Sequence, residues 1–220
     1  MPDLLEDPVL PVDNGSKGEN TGLSYLALGD SYTVGESVDR DSSWPYAMVD
    51  EFRKKQVTIQ EPDVIARTGW TTDELELGIQ YRGIAQSYNL VSLSIGVNNQ
   101  YRNRSVENFQ DEFRNLLTRA ISYAGDDPDN VFVVSIPDWG VTPFGKYSDS
   151  EKISREINEY NAAKKKICEE MGVLFIDITP ISREAENDSS LIAPDGLHPS
   201  GKMYKQWVAK IVPDVIRLVR

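Results

Sequence analysis

Residues 24–37 read SYLALGDSYTVGES, and the fold turns on how this stretch is taken. Tyr25 to Leu28 make a short apolar run, suited to a strand buried on both faces. Gly29 closes it, and Asp30, Ser31, Tyr32 and Thr33 follow at once. A turn with a helix cap accounts for Asp30 and Ser31 taken alone. A hydroxyl nucleophile presented at the end of a sheet accounts for them as well. What lies at the ends of the other strands decides between the two.

Outward from this stretch the chain alternates. Apolar runs predict further strands at Leu90–Ser94, Val131–Ile136 and Val173–Ile176, with Asp63–Arg67 as a weaker one. Helical spacing fills the intervals. Ser105 is placed to cap a helix whose inner face is Phe109, Phe113, Leu116, Ala120 and Tyr123. Ser150 is placed to cap another, with Ile153, Ile157, Tyr160, Ala163 and Ile167 inward and Gly172 as its stop. Met203, Trp207, Ile211, Val215 and Leu218 make a last stripe. Strand and helix in this rhythm predict an α/β fold, a mostly parallel sheet of about five strands between helices. In such sheets sites lie beyond the carboxyl ends of the strands.

The totals agree with one folded domain. The chain has 220 residues, 40% apolar and 26% charged, with a net charge of −12. That charge repels a phosphate backbone, so nucleic acid is not an expected partner. No run of about 18 apolar residues predicts a transmembrane segment. Residues 1–22 are rich in Pro, Gly, Asn and acidic groups and lack the pattern of a signal peptide. They are expected to form an extended arm or loose tail, with residues 23–220 as a single catalytic domain. The chain reads as soluble; its compartment and oligomeric state do not follow from the sequence. The single cysteine, Cys168, sits in a helical pattern as a small buried hydrophobe, and one histidine excludes a His-rich zinc site.

Each strand end carries a polar cluster: Gly29-Asp30-Ser31, then Arg67-Thr68-Gly69-Trp70, then Gly96-Val97-Asn98-Asn99, then Pro137-Asp138-Trp139-Gly140. Before the last helix comes APDGLHPSG, with Asp195 and the lone histidine, His198. Singly these are turns and caps. Together, on one edge of the sheet, they supply the parts of an acyl-transfer site. A serine hydroxyl needs a base in contact, and His198 is the one imidazole present. Asp195 is close enough in sequence to orient that ring. The N–H groups of Ser31 and Gly69 and the side-chain amide of Asn98 are candidate oxyanion donors.

The ordered set GDSYT, Gly69, GVNN and DGLHPS resembles the SGNH hydrolases, the GDSL esterase/lipase family, from about residue 24 to the C-terminal helix. The resemblance implies Ser31 as nucleophile, Asp195 and His198 completing a triad, and Ser31, Gly69 and Asn98 as the oxyanion hole. It also implies a three-layer α/β/α, flavodoxin-like fold and no metal or organic cofactor. Two positions depart from the family pattern. Tyr32 stands where the name-giving leucine would be, and Asn99 replaces the aspartate that usually follows the motif asparagine. Asn99 is therefore a rival of Asn98 for the oxyanion role.

The expected reaction is cleavage of a carboxylic ester through an acyl-enzyme. The expected partner is a small-molecule, lipid or glycan ester. A lipid-type or short-chain ester is slightly favoured over a carbohydrate O-acetyl ester. Trp70, Tyr101, Trp139 and Phe144 lie on loops of the active edge, where they form an acyl pocket, stack on sugar or simply pack the loops. Arg102 and Arg104 either meet an anionic group or face solvent. Two readings of other classes remain. A catalytically silent binding module on the same fold should have lost a triad member, and none is lost. A flavodoxin-type nucleotide domain needs a phosphate-cradling loop after the first strand, and GDSYTVGE is not one.

Overall fold

The computed structural model describes residues 22–219. The expected arm, residues 1–22, thus lies outside the described residues except for Gly22. In chain order the elements are β1 (Tyr25–Gly29), α1 (Ser31–Val34), α2 (Trp44–Lys54), β2 (Asp63–Ala66), α3 (Thr72–Arg82), β3 (Leu90–Ser94), α4 (Val97–Tyr101) and α5 (Val106–Tyr123). They continue with β4 (Val131–Val134), α6 (Ser150–Met171), β5 (Leu174–Ile176), α7 (Thr179–Arg183) and α8 (Gly201–Val215). The five strands form one parallel sheet in the order β2-β1-β3-β4-β5. This is the doubly wound, flavodoxin-like order, whose direction of winding reverses between β1 and β3.

Every residue of β1, β3 and β4 is buried, which accounts for their unbroken apolar runs. Helices cover both faces. α2 packs with α8, and α5 packs with α3 and α6. Trp44 at the start of α2 reaches the sheet and meets Phe132 of β4 edge to face. On the other side Phe109 and Phe113 stack within α5, and Phe109 meets Tyr160 of α6. Leu23 adds a parallel bridge to Ile59 ahead of β1, and Gly22 O accepts from the Gln60 amide.

Several sequence expectations shift at element ends, β2 stopping at Ala66 and β5 starting at Leu174 among them. α6 is capped by Asp149, whose carboxylate accepts the Lys152 N–H, so Ser150 is its first residue and not its cap. β4 ends at Val134, because the backbone of Ile136 bonds the Asn161 side chain and leaves the ladder. α8 ends at Val215, short of Leu218. Asx-type caps compete well with serine caps, and single-residue ends are the least firmly fixed parts of any element.

Candidate active site

The first strand delivers Ser31 through a cap. Asp30 is the N-cap of α1, and its carboxylate accepts the Tyr32 N–H at 3.1 Å. The serine is thereby the first residue of a one-turn helix at the carboxyl end of β1, beside the switch point. Asp30 is buried, and burial pushes its carboxyl up to about 7 against the help of that hydrogen bond and of the Lys164 charge.

His198 arrives from the far end of the chain on a tightly tied loop. Ala193 N–H bonds His198 O, Gly196 N–H bonds Ala193 O, and Ile192 bridges Pro199. Asp195 Oδ1 accepts the N–H groups of Leu197 and His198 at 2.9 and 3.0 Å. With its backbone so fixed, Asp195 turns Oδ2 to His198 Nδ1 at 2.6 Å. The other ring nitrogen, Nε2, lies 3.0 Å from Ser31 Oγ. A proton on Nδ1 facing the carboxylate leaves Nε2 as acceptor for the serine hydroxyl. Burial opposes ionisation of Asp195, but hydrogen bonds from Ser37, Leu197 and His198 outweigh it and hold its carboxyl at about 2. The Tyr32 ring packs tilted against the imidazole, with centroids 5.5 Å apart.

The candidate oxyanion donors sit on neighbouring strand ends. Gly69 follows β2 with φ +86°, a conformation that favours glycine. Its N–H has no acceptor among the described residues, while its carbonyl accepts Arg102 Nη2 at 2.7 Å. Asn98 lies in α4 and donates one amide N–H to Trp70 O at 2.9 Å, which leaves the second free to act. Asn99 is used quite differently. It is fully buried, accepts the Thr72 N–H at 3.1 Å and donates to Thr72 Oγ1 at 2.6 Å, so it ties α4 to the start of α3. Of the two asparagines, Asn99 thus turns inward, and Asn98 keeps an amide N–H without a partner among the described residues.

A cleft of about 220 Å³ opens beside Ser31. Tyr32, Val97, Asn98, Tyr101, Trp139, Phe144, Leu197 and His198 complete its lining. Trp139 is held by Nε1–H to Gln100 Oε1 at 2.8 Å and meets Tyr101 and Phe144 at ring distances of 5.5 and 5.9 Å. Asp138 caps this turn through the Gly140 N–H and is paired with Arg183 at 2.9 Å. Trp70 does not join the cleft. Its indole lies over Gly78 of α3, where the missing Cβ makes room for it. Arg102 is occupied by Glu74 and Arg104 by Asp73 and Glu112, so both serve ion pairs.

One residue of the constellation escapes sequence reasoning. Ser37, exposed and left-handed at φ +65°, donates its hydroxyl to Asp195 Oδ2 at 2.7 Å. Its neighbour Glu36 accepts from the Thr68 hydroxyl. One short loop after α1 therefore braces both the Asp195 loop and the Gly69 turn. A sequence separation of 158 between Ser37 and Asp195 leaves no sequence signal for the contact.

A parallel sheet carrying Ser31, His198 and Asp195 in hydrogen-bond succession defines an α/β/α protein of the hydrolase kind. A family model described as the GDSL-like lipase/acylhydrolase family matches residues 27–206, and the chain belongs to that family. It is an ester-bond hydrolase. Among solved structures the chain is similar to TesA, with a TM-score of 0.70, 13% identity, and coverage of 89% of this chain and 99% of that one. It is similar to Axe2, an acetylxylan esterase from Geobacillus stearothermophilus, with a TM-score of 0.69, 18% identity, and coverage of 88% and 94%. The psychrotrophic esterase EstA from Pseudoalteromonas sp. gives 0.64, 16%, 89% and 97%. At these identities the likeness is one of fold. No curated protein matches the sequence. Among the described residues no helix is long and apolar enough to cross a membrane, and no three His, Cys, Asp or Glu side chains gather where a metal ion could be held.

Proposed function

We propose that the chain is a serine esterase that cleaves an ester of a small, apolar acyl group through an acyl-enzyme. The observation that carries this reading is the run Ser31 Oγ, His198 Nε2, His198 Nδ1, Asp195 Oδ2 at 3.0 and 2.6 Å, opening onto an apolar cleft. Ser31 Oγ attacks the ester carbonyl carbon while its proton passes to His198 Nε2. Asp195 stabilises the imidazolium that results. The carbonyl oxygen becomes an oxyanion held by the N–H groups of Ser31 and Gly69 and by Asn98 Nδ2. The C–O bond to the alcohol breaks, and the alcohol leaves with the proton from His198. Water then attacks the acyl-enzyme, giving its proton to His198; the bond from Ser31 Oγ to the acyl carbon breaks, Oγ takes that proton back from His198, and the acid is released.

The cleft supports a short acyl chain. Its walls are Val97, Tyr101, Trp139, Phe144 and Leu197, and its volume is below the roughly 300–1,000 Å³ of pockets that enclose drug-sized ligands. A second reading, a carbohydrate O-acetyl esterase, is favoured by a separate observation. Tyr101 and Phe144 are 54% and 42% exposed at the rim, where rings can stack on sugar. The test is a panel of p-nitrophenyl acetate, butyrate and octanoate beside an acetylated xylo-oligosaccharide. A small apolar acyl site turns over acetate and butyrate and falls off at octanoate. Preference for the oligosaccharide over the aryl acetate moves the assignment to the glycan reading. Ser31→Ala is expected to lose several orders of magnitude in kcat on every substrate, with an unchanged melt. Undiminished turnover by that variant removes Ser31 from the chemistry.

A further inference from the structure

α6 carries a fully buried lysine that the reaction does not use. Lys164 is 0% exposed, and its Nζ donates to Ile95 O at 3.0 Å and to Val134 O at 2.8 Å. Among the described residues these two carbonyls are its only hydrogen-bond acceptors. The Phe113 ring of α5 lies 5.4 Å from the ammonium, within reach of a cation–π contact. The titratable groups that face it are Asp30, at the end of β1, and Cys168, one turn on along its own helix. Burial pulls the ammonium down to about 8 despite both of them. A buried cation of this kind is poor support for stability as such. What its two acceptors do is more telling.

The two carbonyls mark the place where the sheet splits. β3 and β4 pair as far as Leu93 and Val133. Beyond that, Ser135 N–H bonds Ile176 O on β5. In a trans peptide the carbonyl faces opposite to the N–H, so Val134 O faces β3. Ile95 leads straight into Gly96, at φ +128°, and so into α4 with Asn98. The Ile95–Gly96 peptide is therefore the hinge on which α4 hangs, and its carbonyl has left the ladder.

We propose that Lys164 is a positioning residue for the oxyanion site: its ammonium ties the Ile95 carbonyl to that of Val134 and so sets where α4 presents Asn98. The proposal rests on the reading of Asn98 as an oxyanion donor. Lys164 fixes the entry to α4, whose further ties are Asn98 to Trp70 O, Asn99 to Thr72 and Gln100 to Trp139. An apolar side chain at 164 leaves two buried carbonyls without partners and loosens the entry to α4. Val97, Asn98 and Tyr101 of the cleft belong to α4, while Tyr32, Trp139, Phe144, Leu197 and His198 lie on other elements and keep their places. The Asn98 amide is called on only as the carbonyl oxygen becomes charged, so the larger part of the loss falls on the transition state.

The test is a double-mutant cycle on p-nitrophenyl butyrate with Lys164→Met, Asn98→Ala and both together. Lys164→Met is expected to lower kcat by ~10- to 100-fold with KM within about threefold, part of the loss of an oxyanion donor. In the Asn98→Ala background the same change is expected to cost less than about threefold more, because the group it positions is gone. If Asn98→Ala lowers kcat and Lys164→Met does not, the proposal is overturned while the oxyanion reading stands. Full additivity in the double variant also overturns it, since Lys164 then acts elsewhere. If Asn98→Ala itself leaves kcat unchanged, the oxyanion reading fails first and this proposal with it. Should Lys164→Met fail to fold, Lys164→Gln, which keeps a donor, replaces it in the cycle. Failure of both to fold makes the lysine a stabilising residue and overturns the positioning role.

Discussion

The side chain of Asn98 gives one amide N–H to Trp70 O and retains another, while Asn99 has both ends of its amide engaged on Thr72. The two should therefore fail in different ways. Asn98→Ala is expected to lower kcat by ~100- to 1,000-fold with KM little changed. Its melting temperature should stay near that of the wild type. Asn99→Ala leaves the buried Thr72 N–H without its acceptor, a cost of about 1–3 kcal/mol. In a domain of this size that lowers the melting temperature by roughly 2–10 °C, with a smaller loss in kcat. Kinetics and a thermal melt on both variants separate the roles, and a reversed pattern exchanges them. The sequence favours Asn98, on its place in Gly96-Val97-Asn98, but shows no contact that sets Asn99 apart. Spacing places both at the strand end, and only the packing of α4 on α3 decides which one turns in. Lys164 was hidden for a related reason. It is one of three consecutive lysines in AKKKIC, with nothing local to single it out, although position 164 falls one turn after Tyr160 and one before Ile167, on the buried stripe of α6.

Among the elements, α4 depends most on a single backbone torsion. Gly96 has φ +128°, and a Cβ there would stand 2.8 Å from Ile136 Cδ1 and from Phe109 Cε2. Gly96→Ala thus carries two costs. The backbone strain is about 1–2 kcal/mol and the overpacking about 1–3 kcal/mol. The two side chains can give a little, but the backbone strain is relieved only by moving α4, so the variant is expected to lose stability and most of its activity together. A calorimetric melt beside kcat checks this, and a variant with normal values of both shows that the loop tolerates another path. The strands were legible because buried parallel strands are continuous apolar runs, and β3 falls where its run predicts. α2 was not read as a helix. It opens on Trp44-Pro45, and its buried positions are interleaved with the charges of its solvent face. β4 was read too long because Ser135 and Ile136 look like strand, while Asn161 and Thr179 claim their backbone and side chains. Such side-chain capture of a strand end has no local signature.

On the scale of the molecule, 220 residues and a net charge of −12 include one imidazole, and the structure sets that imidazole between Ser31 and Asp195. If His198 is the base, only its neutral form accepts the serine proton. kcat/KM should then fall tenfold per pH unit on the acid side of a single ionisation. Asp195 cannot supply that limb. Its carboxyl is held at about 2, below its ordinary value, so it stays ionised until the pH falls through that region. The stability it lends is fully present above the ordinary carboxylate range and is lost as the pH falls from that range through about 2. Asp30 is the other candidate, since burial pushes it up to about 7. Its charge changes in the same direction with pH, so kinetics alone do not separate the two. Proton NMR does, because every imidazole signal of this protein belongs to His198. The expected outcome is one midpoint shared by the imidazole titration of the free enzyme and the acid limb of kcat/KM, with His198→Ala inactive. A limb that follows another midpoint, measured on a substrate for which chemistry limits the rate, assigns the ionisation to Asp30. The serine would then need a different base, and no other imidazole exists to provide it.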